Sequence, residues 1–185
     1  MIPTTADTSF REAGAPPGSA AVSSTSTFTA IRVRAMVAAD LAQSRNLWER
    51  TEHMGLSSAD APRALRRFLR RNRRLSRIAV TGAGGAGGGD GGSGRVVGTV
   101  LVGHDGRRGY LYHLAVDRGW RGNGIARRLL ESAVAGLERA GIERCHIMIF
   151  SDNADGKSAW RRLGWRDRDD IAVMSRDLAP EGRPR

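Results

Sequence analysis

The stretch that decides the fold is Leu114-Ala115-Val116-Asp117-Arg118-Gly119-Trp120-Arg121-Gly122-Asn123-Gly124-Ile125-Ala126. A short run that reads as a strand meets a glycine-bearing loop, and the loop opens a long amphipathic segment. Ile125, Leu129, Leu130, Ala133, Val134, Leu137 and Ala140 recur at helical spacing, and Gly141 stops the helix. Glycines allow a ligand to approach the backbone closely. The unpaired N–H groups at the start of a helix, together with its dipole, favour a phosphate or pyrophosphate. The pattern predicts an anion site at a strand-to-helix junction. It is not a dinucleotide fingerprint, because Arg127 stands where the third glycine belongs and no acidic strand-end residue follows at the usual distance. Nor is there a P-loop, since Gly156-Lys157-Ser158 matches only its end and Ser151 replaces the first glycine.

Upstream of this junction, Ile31, Val33 and Ala35 alternate with arginines and read as a first strand. Asp40 to Glu52 reads as a helix with Leu41, Leu47 and Trp48 inward. Ser58, Asp60 and Pro62 open a second helix with Leu65, Phe68 and Leu69 as its apolar stripe. Arg63, Arg66, Arg67, Arg70 and Arg71 cover the rest of that helix, either as a solvated face or as an anion-binding one. Ser76 to Thr81 forms a strand, and Gly82 to Gly94 is a flexible connector. Val96 to Val102 and Tyr110 to Val116 form a hairpin turned at Asp105-Gly106. Downstream, Cys145 to Phe150 is nearly all apolar, as in a central strand buried on both faces. Ala154 to Leu163 reads as a helix ended by Gly164, and Ile171 to Leu178 as a last strand. The order β-α-α-β-β-β-α-β-α-β predicts an α/β (α+β) domain over residues 31–178, a mixed central sheet flanked by helices. Residues 1–30 read as a disordered tail and 179–185 as a loose one.

A chain of 185 residues, 40% of them hydrophobic, suits one domain. No apolar run approaches the ~18–20 residues of a membrane span, and no apolar stretch follows a basic N-terminus, so neither span nor leader is expected. Cys145 is the only cysteine, which rules out an intrachain disulfide and predicts a reduced, cytoplasmic setting. The four histidines and one cysteine show no metal-ligand spacing, and no metal is expected. The formal net charge of +11 fits a nucleic-acid or acidic partner. It also fits a genome-wide preference for Arg codons, which the single lysine, Lys157, supports. The few aromatic residues do not interleave with the arginines, which speaks against a single-stranded nucleic-acid surface.

Arg121-Gly122-Asn123-Gly124-Ile125-Ala126 resembles the Arg/Gln-x-x-Gly-x-Gly/Ala signature of GNAT N-acetyltransferases. Leu114-Ala115-Val116 is similar to the strand that precedes it in that family. Asn153 with Ala159-Trp160-Arg161-Arg162-Leu163-Gly164-Trp165 resembles the family's second block. Tyr112-His113-Leu114-Ala115-Val116 and Met174-Ser175-Arg176 are similar to small bacterial acetyltransferases related to the ribosomal-protein alanine acetyltransferases. The resemblance covers about residues 31–178 and implies the GNAT acyl-CoA N-acyltransferase fold.

The resemblance also implies an enzyme that transfers acetyl from acetyl-CoA to a primary amine, on a small molecule or a protein, by direct attack in a ternary complex. Leu114, Ala115 and Val116 would hold the acyl oxygen and pantetheine through their backbone. Arg121, Gly122, Asn123, Gly124, Ile125, Ala126 and Arg127 would hold the pyrophosphate, and Asn153 the pantetheine or the region near the thioester. The phosphates of coenzyme A would use some of the positive charge. Domains of this family are often dimers, which leaves a homodimer open.

Two departures stand out. Trp160 occupies the place of the thiolate-protonating Tyr, and Met148 that of the basic Glu found in the alanine acetyltransferases. The remaining catalytic candidates are Tyr110, Tyr112 and His113. Strand alternation places both tyrosines on the face of Leu114 and His113 on the opposite one. A phenol of pKa ~10 is a poor base at neutral pH, whereas an imidazole of ~6.5 is better matched. His113 can equally be a packed, hydrogen-bonded histidine, and the tyrosines pocket walls. Two other readings remain: an acyl-CoA-binding domain of this fold with little or no catalysis, and a basic nucleic-acid-associated protein.

Overall fold

The computed structural model describes residues 30–82 and 94–178. Most of the glycine-rich connector and nearly all of both tails lie outside the described residues. The elements are β1 (Arg32–Ala35), α1 (Leu41–Glu49), α2 (Pro62–Arg71), β2 (Arg77–Thr81), β3 (Arg95–His104), β4 (Gly109–Val116), α3 (Ile125–Arg139), β5 (Cys145–Ile147) and α4 (Ala154–Arg162). Five strands form one sheet in the order β1-β2-β3-β4-β5. The first three pairings are antiparallel and β4–β5 is parallel.

The sheet carries an apolar layer on each face. On one side α3 sets Ile125, Leu129, Leu130, Ala133 and Leu137 against Ala79, Val97, Val100, Val102 and Leu111. On the other, Leu41, Leu47 and Trp48 of α1 and Leu65 of α2 pack on Ile78, Val80, Val96, Leu101 and Ala115. Leu129 and Trp48 are fully buried, and burial of a large aliphatic side chain contributes about 1.5–3 kcal/mol. Gly98 lets α3 lie close to β3, since a Cβ there would come within 2.8 Å of Ile125 Cγ2.

Local chemistry sets the helix boundaries. Pro62 takes the first turn of α2, where a missing N–H costs no helical bond. Gly141, at φ +74°, ends α3: its N–H donates to Glu138 O, and Ile142 N–H reaches back to Leu137 O. Asp40 ties β1 to α1 by a two-pronged pair with Arg34, both contacts at 2.7 Å, and accepts the Val37 N–H.

Three expectations are corrected. Ile171 to Leu178 is not a strand, and Val173, Met174 and Leu178 are 72%, 95% and 90% exposed. β-Propensity becomes a strand only where an edge accepts the backbone N–H and C=O groups, and no such ladder forms here. In consequence β5 lies at the sheet edge, half-buried, instead of in its centre. It spans only Cys145–Ile147, with Met148 and Phe150 exposed beyond it. α1 stops at Glu49, short of Glu52. Among the described residues no helix is long and apolar enough to cross a membrane.

Candidate acyl-donor site

The site begins with an irregularity in β4. Between the pairs Thr99↔Ala115 and Leu101↔Tyr112, β3 advances two residues and β4 three. The extra residue is a bulge, and His113 within it has φ +50°. Bulges bend a strand and disrupt its ladder. β5 pairs with β4 only at Gly109, Tyr110 and Leu111, so from Tyr112 onward that edge of β4 is open. Asp117 N–H donates to Val97 O on the β3 side. Alternation along the strand therefore turns the N–H groups of Leu114 and Val116 to the open edge.

The bulge also overturns the predicted faces. Leu114 and Val116 pack with the α3 layer and Ala115 with the α1–α2 layer. Tyr112 meets Phe68 of α2 edge-on at 6.2 Å, and Tyr110 stacks on Tyr112 at 6.4 Å. His113 packs on Trp48 of α1 at 4.6 Å. The two tyrosines and His113 thus share the α1–α2 side, and Leu114 is opposite. One inserted residue reverses the period-2 alternation on which that reading rested. Burial, then the neighbouring Tyr110, push the Tyr112 phenol above its ordinary pKa.

The loop after β4 is braced from within. Arg121 Nε donates to Val116 O at 3.2 Å, and Arg118 and Arg121 both pair with Glu52. Asn123 Nδ2 donates to Trp120 O and Arg121 O. These side chains of the signature shape the loop. Gly122 and Gly124 have φ +81° and +69°, and a Cβ at either would meet nothing within 4 Å. α3 starts at Gly124 with no side-chain cap, so the N–H groups of Ile125, Ala126 and Arg127 begin the helix beside open space. This bare helix start, next to an open strand edge, fits an extended ligand with a pyrophosphate at one end.

Asn153 caps α4 instead of facing the gap with its oxygen: Oδ1 accepts the Gly156 N–H at 2.7 Å. Gly156-Lys157-Ser158 lies inside α4 and is no phosphate loop. Trp160 packs edge-on against Trp165 at 4.9 Å. Among the described residues no three His, Cys, Asp or Glu side chains gather at one point.

Sequence reasoning missed two carboxylates. Asp117 accepts from Arg50 and Arg95, each at 2.8 Å, and from Gly119 N–H at 3.1 Å. Its burial raises the pKa, but the hydrogen bonds from Arg95 and Gly119 and the charges of Arg95 and Arg50 outweigh that and lower it. Asp60 lies 2.6 Å from His113 Nε2. In the sequence Asp60 reads only as part of the opening of the second helix, with Ser58 and Pro62.

A sequence model of the acetyltransferase (GNAT) family matches residues 48–165. The chain is 32% identical over 85 residues to acetyltransferase SG1711 of Sodalis glossinidius (strain morsitans). That match covers 46% of this chain and 60% of the relative. Aminoglycoside N-acetyltransferase AAC(6')-Iy, solved in complex with CoA, superposes with a TM-score of 0.60 at 17% identity, over 82% of this chain and 97% of that one. Ard1 from Thermoplasma volcanium gives 0.58 at 12% identity, over 72% and 81%. These two share this chain's fold. With the family match running from the end of α1 through α4, the chain belongs to the acetyltransferase (GNAT) family.

Proposed function

We propose that this protein transfers the acetyl group of acetyl-CoA to a primary amine, on a small molecule or a protein, by direct attack within a ternary complex. The observation that carries the reading is the open β4 edge at Leu114–Val116 beside the uncapped start of α3. The strand N–H groups suit the acyl oxygen and the amide-bearing arm, where preorganised donors stabilise developing charge. The N–H groups of Gly122 to Arg127 suit the pyrophosphate. Bound acetyl-CoA supplies the activated acyl group. The chain's own part is to align it, exclude water and accept one proton from the amine. Tyr110, Tyr112 and His113 lie on the α1–α2 side of β4, the side this reading assigns to the acceptor. A lone thiol at Cys145 fits a reducing, cytoplasmic setting.

The test is a thermal-shift titration with acetyl-CoA and with free coenzyme A, because a ligand that binds only the folded state raises the melting temperature. A saturable shift followed by thiol release in an amine panel is the expected result. No shift at millimolar acetyl-CoA overturns the reading. A shift without thiol release from any amine favours an acyl-CoA-binding domain, the reading that Trp160 in place of an acidic Tyr supports.

A further inference from the structure

His53, Arg74 and His113 are the described non-glycine residues with positive φ, and only His113 sits within a strand. A left-handed backbone at a residue other than glycine costs on the order of 1–3 kcal/mol. Glycine or asparagine would fill the bulge with less strain, so the imidazole contributes something a smaller residue would not.

The ring is held on several sides. Nε2 lies 2.6 Å from Asp60 Oδ1, with side-chain exposures of 12% and 9%. The Trp48 indole covers it at 4.6 Å. Trp48 Nε1 donates to Thr99 Oγ1 at 2.8 Å, and Thr99 Oγ1 donates to His113 O at 3.0 Å. Asp60 is fixed in turn, since its Oδ2 accepts the Ser57 N–H at 2.9 Å. A clamped carboxylate at Nε2 selects the tautomer with the proton on Nε2 and leaves the Nδ1 lone pair available. Nδ1 makes no hydrogen bond among the described residues, and the side chain keeps 12% of its surface exposed. Leu114, the next residue, already lies on the open edge of β4.

Building on the acetyl-transfer reading, we propose that Asp60 is a positioning residue that orients His113, and that His113 Nδ1 accepts the proton of the acceptor amine. Nδ1 takes one proton from the ammonium form. The freed nitrogen lone pair forms the C–N bond, the C–S bond breaks, and the thiolate takes the second nitrogen proton. Tyr112 is a weaker candidate, because burial raises its phenol further from neutral pH.

The tautomer is read in the ligand-free protein by long-range ¹H–¹⁵N correlation of the His113 ring. The proton is expected on Nε2 in the wild type and moved or mixed in Asp60→Asn, whose amide can donate where the carboxylate only accepts. With the most active amine of the panel, Asp60→Asn and His113→Asn are expected to lower kcat at least tenfold, with KM for acetyl-CoA within about twofold. Asparagine tolerates the left-handed backbone, so His113→Asn tests the ring without unfolding the bulge. A wild-type proton on Nδ1, or His113→Asn with unchanged kcat, overturns the proposal. The acetyl-CoA thermal shift is read on the same samples. Its absence overturns the acetyl-transfer reading, whereas a retained shift with either adverse result overturns the dyad alone.

Discussion

Gly124 shows how a single backbone angle joins fold and site. Its φ of +69° starts α3 without a cap, and the space its side chain would fill is open. A β-branched residue there combines backbone strain with blockage, so Gly124→Val would confuse misfolding with lost binding. Asparagine adopts the same backbone with less strain. Gly124→Asn is expected to keep the melting temperature within a few degrees and weaken acetyl-CoA binding by about tenfold or more, ~1.4 kcal/mol. Calorimetric titration measures it, and wild-type affinity would place the pyrophosphate elsewhere.

Elements are joined at the site by a half-buried carboxylate and two exposed arginines. Asp117 connects α1 through Arg50, β3 through Arg95 and the signature loop through Gly119 N–H. Its carboxyl lies below the ordinary 3.8 in the folded chain. A lowered pKa stabilises the fold above the unfolded value, and that contribution is lost as pH falls through the folded value. Asp117→Asn removes the charge but keeps the shape. The variant is expected to melt lower than wild type at neutral pH, with the difference shrinking below about pH 4. Equal wild-type and variant melting curves across that range would show that the three elements hold without the carboxylate.

At the scale of the whole molecule, the net charge of +11 acts on any anionic ligand. Exposed charges are screened over a Debye length of ~10 Å at 0.1 M salt and ~3 Å at 1 M. If acetyl-CoA phosphates meet this field, affinity falls several-fold between about 50 and 500 mM NaCl, as a thermal-shift or calorimetric titration can read. An affinity that ignores salt would mean that backbone N–H groups alone hold the phosphates. The same field acts on nucleic acid, and a steep salt dependence of DNA binding with no response to acetyl-CoA would favour the basic nucleic-acid reading.

Elements whose signals are local were legible in the order of the amino acids. Apolar spacing in Ile125–Arg139, Pro62 at the start of α2 and Gly141 after α3 act within a few residues, and each helix forms where they indicate. The glycine loop was legible for the same reason, since positive φ at Gly122 and Gly124 is a property of those residues. Tertiary structure decided what depends on distant partners. The bulge at His113 reverses the faces of β4, because register is set by pairing with β3 and not by the β4 sequence alone. Asp60 reaches His113 across 53 positions of chain, a contact that periodicity cannot reveal. Ile171 to Leu178 has the composition of a strand but remains outside the sheet, since a strand exists only where another edge completes its hydrogen bonds.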